Sequence, residues 1–222
     1  LAWLGEQINA LGLRFGLWLE PEMVSPESAL FRAHPDWALT MPGRPATLGR
    51  SQLVLDLGRE EVVEYLCKTF SELIRSNGID YIKWDCNRAV ASMGSTYLGE
   101  QQERFYVEYI QGLYSVLARV RKKYPHTIIE CCSGGGSRVD YGSLSYCDEF
   151  WASDNTDAAS RVLIQYGTSL IYPACVMASD VSGVPNHQTG NMSSLKFRFD
   201  VACAGRLGME VQPKDFTKEE FT

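Results

Sequence analysis

Residues 79–88 change within a few positions from an apolar strand pattern to a group of reactive side chains. The alternating apolar residues that follow Asn77-Gly78 predict a strand entered from a turn. The strand ends in Lys83, Asp85 and Asn87, which supply a cation, a carboxylate and an amide. Reactive residues at the end of an apolar strand are typical of the C-terminal edge of an α/β barrel, whereas a short Lys-x-Asp pattern alone also fits a surface salt bridge.

Polar side chains follow several other apolar runs in the same way. If the runs are parallel strands of a barrel, the residues just past them converge on one mouth. Carboxylates and amides can bind hydroxyl groups, an indole can stack on a sugar ring, and glycines let the backbone come close. These residues therefore predict a pocket for a neutral polyhydroxyl ligand. They are Trp18 with Glu20, the region 50–56, Lys83 with Asp85 and Asn87, Cys132 with the glycines that follow it, Asp154, and Asp180.

Two of these carboxylates, Asp85 and Asp154, suggest acid–base chemistry. Glycoside hydrolysis uses such a pair, one as nucleophile or base and the other as acid. Asp154 alone also fits a helix N-cap, but Thr156 and Asp157 lie nearer the predicted helix start, which leaves Asp154 available.

The elements that position these residues alternate between strand and helix. Seven short strands are predicted, most of them followed by a helix, and strict β-α alternation predicts a parallel sheet. We expect an α/β fold, a (β/α)8 TIM barrel that is incomplete and lacks its first strand, over residues 1–212. Residues 213–222 are expected to begin a segment toward a C-terminal β domain. An open doubly wound sheet is the alternative, weakened because no glycine-rich phosphate fingerprint opens the first helices. The predicted strands are 13–19, 52–57, the strand that opens the stretch 79–88, 127–132, 150–153, 175–178 and 207–210. The predicted helices are 1–11, a short helix after Ser25-Pro26, 59–75, 100–123, 158–167 and 195–204.

Composition excludes some classes of function. The 222 residues have 21 basic and 27 acidic side chains, a net charge of −6, which argues against a nucleic-acid partner. No apolar stretch is long enough to span a bilayer, so no membrane partner is expected. Seven cysteines without Cys-x-x-Cys spacing suggest neither zinc nor a disulfide framework and favour a reducing cytoplasm.

Four stretches in this order together resemble the α-galactosidases of glycoside hydrolase family 36. The resemblance implies a retaining hydrolase that removes terminal α-linked galactose from oligosaccharides such as melibiose or raffinose, through a covalent galactosyl-enzyme and without cofactor or metal. By matching positions, Asp85 would be the nucleophile and Asp154 the general acid/base. The substrate pocket would be lined by Trp18, Arg50, Lys83, Asn87, Cys132 and Gly134. The stretches are Trp18-Leu19-Glu20-Pro21-Glu22-Met23, Lys83-Trp84-Asp85-Cys86-Asn87, Cys132-Ser133-Gly134-Gly135-Gly136 and Ser153-Asp154-Asn155-Thr156-Asp157.

The chain also departs from the family pattern. The Asp-Asp pair of the first barrel strand is absent, as are the β domains expected on either side of the barrel. Asp180 stands where relatives tend to have a histidine before Val-Ser, which affects the expected pocket rather than the reaction class. Family members are often tetramers, so a homo-oligomer is expected.

Other functions fit parts of the same pattern. A galactosyl transferase of the raffinose- or stachyose-synthase type would use the same intermediate with a sugar acceptor. A Mg²⁺-dependent barrel enzyme would use oxygen ligands, here Glu20, Asp85, Asp154 and Asp180. A non-catalytic carbohydrate-binding module would need no catalytic pair. Cys132 also fits a buried thiol, and Arg50 a surface arginine.

Overall fold

The computed structural model describes residues 1–221; Thr222, the last residue of the predicted segment 213–222, lies outside them. The described helices are α1 (Ala2–Ala10), α2 (Ala29–Ala33), α3 (Glu60–Asn77), α4 (Phe105–Lys123), α5 (Ala158–Ser169) and α6 (Leu195–Ala202). The strands are β1 (Phe15–Leu19), β2 (Met23–Val24), β3 (Leu53–Val54), β4 (Ile79–Trp84), β5 (Ile128–Cys131), β6 (Glu149–Trp151), β7 (Met177–Ser182) and β8 (Arg206–Glu210). The described chain divides into two compact units, residues 1–129 with 140–147 and residues 130–139 with 148–221.

The first unit is built on two parallel strands and two long helices. β1 pairs with β4 in parallel, and Trp18 lies opposite Lys83 in the register. Glu60 and Glu61 lie in the first turn of α3, where they suit the helix dipole. Gly78 ends α3 in the left-handed conformation, with φ of +61°, and β4 begins at the next residue. The buried face of α3 consists of Val62, Val63, Leu66, Phe70 and Ile74.

The predicted strand at 52–57 does not belong to the parallel set. It forms only the two-residue strand β3, which pairs antiparallel with β2. The N–H of Leu55 donates to the carbonyl of Glu22 at 2.8 Å and continues this small ribbon. Six strands therefore lie in the parallel sheet among the described residues, not the seven expected.

The second unit contains the end of β5 and the parallel strands β6, β7 and β8, paired in that order. Phe150 of β6 and Met177 of β7 are register partners and are almost completely buried, so they form the centre of this part of the sheet. Helix α5 begins after Asp157, whose carboxylate accepts the N–H of Ser160 at 3.2 Å. This N-cap agrees with the prediction from the sequence.

The other helices confirm their predicted positions within a few residues. The short helix α2 is capped by Ser28, whose hydroxyl accepts the N–H of Phe31, and not by Ser25 as expected. Within residues 1–221, no helix is both long enough and apolar enough to cross a membrane.

Candidate functional site

In the first unit, the carboxylate of Asp85 lies directly after β4 and is held by three donors. Its Oδ2 accepts the indole N–H of Trp18 at 2.9 Å and the amide of Asn87 at 2.5 Å. Its Oδ1 accepts the backbone N–H of Cys86 at 2.9 Å. Hydrogen bonds to the charged form of a carboxylate favour that form. Asp85 is therefore a buried carboxylate with a fixed orientation.

The register between β1 and β4 explains how Trp18 reaches Asp85. Trp18 is paired with Lys83, and the ladder continues one step beyond β4, where the N–H of Asp85 donates to the carbonyl of Leu19 at 2.9 Å. Adjacent parallel strands therefore bring an indole, a half-buried lysine and a carboxylate to the same sheet edge. Three of the residues predicted from the sequence lie together here.

Glu20 connects Asn87 with the segment that contains Arg50. Its Oε1 accepts the amide of Asn87 at 3.0 Å, and its Oε2 accepts the amide of Gln52 at 3.0 Å. The guanidinium of Arg50 lies 3.4 Å from the same Oε1. Glu20 thus orients the amide that binds Asp85, a role that the sequence did not indicate.

Arg50 lies at the tip of a tight turn with an unfavourable backbone conformation. Arg50 and Ser51 have φ of +51° and +59°, which non-glycine residues adopt at a cost. Gly49 and Gln52 close the turn through two backbone hydrogen bonds of 3.1 and 2.9 Å. Arg88 donates to the carbonyl of Gln52 and, at 3.0 Å, to that of Thr47. The surrounding contacts therefore hold Arg50 in a conformation that it would not adopt alone.

Glu22, two residues after Glu20, has a different environment in the structure. It is fully buried, and it accepts the indole N–H of Trp84 at 2.9 Å and the hydroxyl of Tyr109 at 2.5 Å. Trp84 is the last residue of β4 and immediately precedes Asp85. Glu22 thus fixes the end of the strand from the interior.

In the second unit, the glycine-rich loop after β5 packs against the loop after β6. Gly134 and Gly135 have φ of +57° and +89°. A Cβ atom on Gly135 would lie 2.9 Å from the Cα of Ser153, so a side chain does not fit there. Cys132 is almost completely buried in a small cluster with Trp151 and Ala178. This burial favours the interpretation of Cys132 as a buried thiol, and its contact with substrate stays a prediction.

Asp154 lies three residues after the end of β6 and is exposed. Because Asp157 caps α5, Asp154 is not used as the helix cap. Its backbone neighbours Ser153 and Asn155 are held by Arg161, whose NH2 and Nε donate to their carbonyls at 2.8 and 2.9 Å. Sequence reasoning missed Arg161. The available signal was the spacing of Ala158, Arg161 and Gln165, which form the buried stripe of α5.

The Mg²⁺-dependent alternative requires a cluster of oxygen ligands. Over residues 1–221, no group of three or more His, Cys, Asp and Glu side chains is placed to hold a metal ion.

Comparison with known proteins gives close relatives over nearly the whole chain. AgaA of Geobacillus stearothermophilus, an α-galactosidase, is 50% identical over 218 residues, which are 98% of this chain and 30% of AgaA. Mel36A of Lactobacillus acidophilus, also an α-galactosidase, is 43% identical over 99% of this chain and 30% of its own length. The chain therefore spans about a third of the length of these relatives.

Solved structures agree with the sequence relatives. The crystal structure of AgaA, described as a glycoside hydrolase family 36 α-galactosidase, matches with a TM-score of 0.96 over 99% of this chain and 31% of that one. An α-galactosidase of Thermus thermophilus, at 21% identity and a TM-score of 0.69, shows the same fold only. These matches confirm the predicted fold class, an incomplete (β/α)8 barrel.

The match to the family model is the most complete of the comparisons. The Melibiase model covers residues 1–222, the whole chain, and the AgaA match covers nearly as much. The quoted stretches from Trp18 to Asp157 lie within both. The chain belongs to the Melibiase family.

Proposed function

We propose that this protein is a retaining α-galactosidase that acts on galactose-containing oligosaccharides. The observation that supports this most directly is the arrangement around Asp85, where Trp18, Asn87 and the N–H of Cys86 hold one carboxylate at a strand end. Family membership supports the reaction class, since the relatives are named α-galactosidases. Variants of AgaA have been crystallised with raffinose and with stachyose, which supports the raffinose series as substrates here.

In the first step of the proposed reaction, an Oδ of Asp85 attacks the anomeric carbon of galactose. The bond from this carbon to the glycosidic oxygen breaks, and its electron pair goes to that oxygen. Asp154, protonated at this stage, donates its proton to the departing oxygen, so the leaving sugar departs as a neutral alcohol. The product is a galactosyl ester of Asp85.

In the second step, Asp154 acts as a base. Its carboxylate takes a proton from water while the water oxygen attacks the anomeric carbon. The bond to Asp85 breaks and its electron pair returns to the carboxylate, which restores both residues. Two inversions at the same carbon give net retention of configuration.

The remaining predicted pocket residues have the chemistry for binding hydroxyl groups. Lys83 and Arg50 are donors, the amide oxygen of Asn87 is an acceptor, and the half-exposed indole of Trp18 offers an apolar face for a sugar ring. By the resemblance to the family, Cys132 and Gly134 are also proposed to contact the substrate. We also propose a cytoplasmic location and a homo-oligomer for the intact protein.

The test is to trap the covalent intermediate. The intact protein is incubated with a fluorinated α-galactosyl fluoride, and the labelled peptide is identified by mass spectrometry. We expect one galactosyl label, on Asp85, and no label in an Asp85→Asn variant. A folded, active enzyme that hydrolyses α-galactosides without any label on Asp85 would contradict the proposed mechanism.

A further inference from the structure

Arg161 is a buried charged residue that the proposed mechanism does not yet use. It lies in the first turn of α5, and only 3% of its surface is exposed. Its guanidinium donates to the carbonyls of Ser153 and Asn155, the two residues on either side of Asp154. One planar group thus holds the backbone before and after the proposed acid/base.

A second contact fixes the plane of the guanidinium. The central carbon of Arg161 lies 4.3 Å from the ring centroid of Trp151, a distance at which a cation is attracted to an indole face. Trp151 is the last residue of β6 and is itself buried. Arg161 therefore connects the end of the strand, the loop with Asp154 and the start of α5.

The carboxylates around Arg161 come from β5, β7, β8 and the loop after β6. Burial lowers the pKa of the Arg161 guanidinium, and four carboxylates oppose this effect. They are Asp180 after the midpoint of β7, Glu210 at the end of β8, Asp154 after β6, and Glu130 in β5. The cation is thus retained in the interior by surrounding negative charge.

Stability alone does not account for this arrangement. The NH1 of Arg161 is buried and has no hydrogen-bond partner within the described residues. An unsatisfied buried donor costs free energy that an apolar side chain at the same position would not incur. The guanidinium fixes the backbone of residues 153–155 through its two hydrogen bonds, which an apolar side chain could not form.

We propose that Arg161 is a positioning residue that holds the loop of Asp154 in the orientation needed for proton transfer to the leaving group. This inference rests on the proposed function. It assigns Arg161 no contact with substrate. Its effect on the reaction passes through Asp154.

The inference predicts a dependence on the leaving group. A sugar oxygen is a poor leaving group and needs a proton from Asp154 as its bond breaks, whereas a dinitrophenolate leaves without one. If Arg161 positions Asp154, its replacement lowers kcat/KM for raffinose far more than for 2,4-dinitrophenyl α-galactoside. A purely structural role would reduce the amount of folded enzyme and lower both values equally.

The experiment compares these two kcat/KM values in the intact protein and in variants. Because the ratio is independent of the concentration of active enzyme, partial misfolding does not affect it. General acid catalysis contributes roughly 10²–10⁴-fold, and we expect Arg161→Met to shift the ratio against raffinose by at least about 10-fold. Arg161→Lys keeps the charge but cannot bind both carbonyls as a fork, so we expect an intermediate shift.

Two further variants serve as references. Arg198→Met removes another buried arginine of the second unit, which donates to the carbonyl of Ser182 at 2.6 Å and makes no hydrogen bond to the Asp154 loop among the described residues. We expect it to lose stability but to keep the wild-type ratio. Asp154→Ala removes the proposed acid itself, and we expect it to show the largest shift.

The outcomes separate the inference from the proposed function. An unchanged ratio in both Arg161 variants, together with a shifted ratio in Asp154→Ala, overturns the positioning role and leaves the proposed function intact. An unchanged ratio in Asp154→Ala overturns both. If Arg161→Met yields no folded protein, Arg161→Lys decides: a shift supports the inference, and the wild-type ratio overturns it.

Discussion

At the scale of single residues, Asn87 connects two carboxylates in the first unit. Its amide nitrogen lies between two carboxylate oxygens, 2.5 Å from Oδ2 of Asp85 and 3.0 Å from Oε1 of Glu20. The amide separates two negative charges that would otherwise repel each other. It also gives one oxygen of Asp85 a neutral hydrogen-bond donor, which orients the carboxylate.

The variant Asn87→Asp tests this arrangement with almost no change in shape. Replacing the donor with a third carboxylate places like charges in direct contact, which raises the pKa of at least one of them and removes the orientation of Asp85. We expect kcat/KM for 4-nitrophenyl α-galactoside to fall by about 100-fold or more at neutral pH, a loss of roughly 3 kcal/mol. Asn9→Asp makes the same change on α1 and should retain activity. A value for Asn87→Asp within threefold of wild type would contradict the proposed role.

The sequence predicted part of this residue arrangement. Lys83, Asp85 and Asn87 share one strand end, so their proximity follows from chain order alone. The role of Glu20 does not follow from chain order. Glu20 and Asn87 are 67 residues apart and meet only through the register of β1 with β4. The contacts of Arg161 were harder still to predict, because its partners are backbone carbonyls and every residue carries one.

At the scale of elements, hydrophobic periodicity predicted the long helices and most of the parallel strands well. The strand predicted at 175–178 lies instead at Met177–Ser182, so Asp180 lies within β7 and not after its end. The error at 52–57 has a physical cause. An apolar run such as Leu53-Val54-Leu55 fits a buried strand of either direction, and its partner β2 begins only two residues after Pro21, where the sequence suggested that the preceding strand stops. Strand direction depends on pairing, which local composition does not encode.

The start of α5 provides a prediction about stability and pH. Burial of Asp157 opposes its ionisation, but hydrogen bonds from Asn191 and Ser160 outweigh burial and lower its pKa below the usual value of an aspartate. A carboxyl group with a lowered pKa in the folded state stabilises the protein above its unfolded pKa, and this contribution disappears as the pH falls through the folded pKa. We expect Asp157→Ala to cost about 1 kcal/mol of unfolding free energy at pH 7.

Urea denaturation at several pH values would measure this effect. Asp157→Asn keeps a capping oxygen and loses only the charge, so it should be less destabilised than the alanine variant. Its difference from wild type should shrink below about pH 4. A difference that stays constant down to pH 3 would show that the charge of Asp157 does not contribute.

At the scale of the whole molecule, the exposed apolar surface is not spread evenly. β8 pairs with β7 on one side and with no other strand among the described residues. Leu207 and Met209 lie on the same face of β8 and are 48% and 58% exposed. An exposed apolar strand at a sheet edge is a template for pairing with another chain.

We therefore expect residues 1–222, produced by themselves, to self-associate through β8, measured by size-exclusion chromatography with light scattering. Leu207→Lys with Met209→Lys should reduce this association. The double change adds two positive charges to a net charge of −6 and gives −4. The smaller net charge by itself would favour association. A decrease in association must therefore come from the change at the strand edge. Val162→Lys with Leu163→Lys changes the charge equally on exposed positions of α5 and should have little effect. A monomeric wild-type chain, or equal effects of both double variants, would exclude β8 as the associating edge.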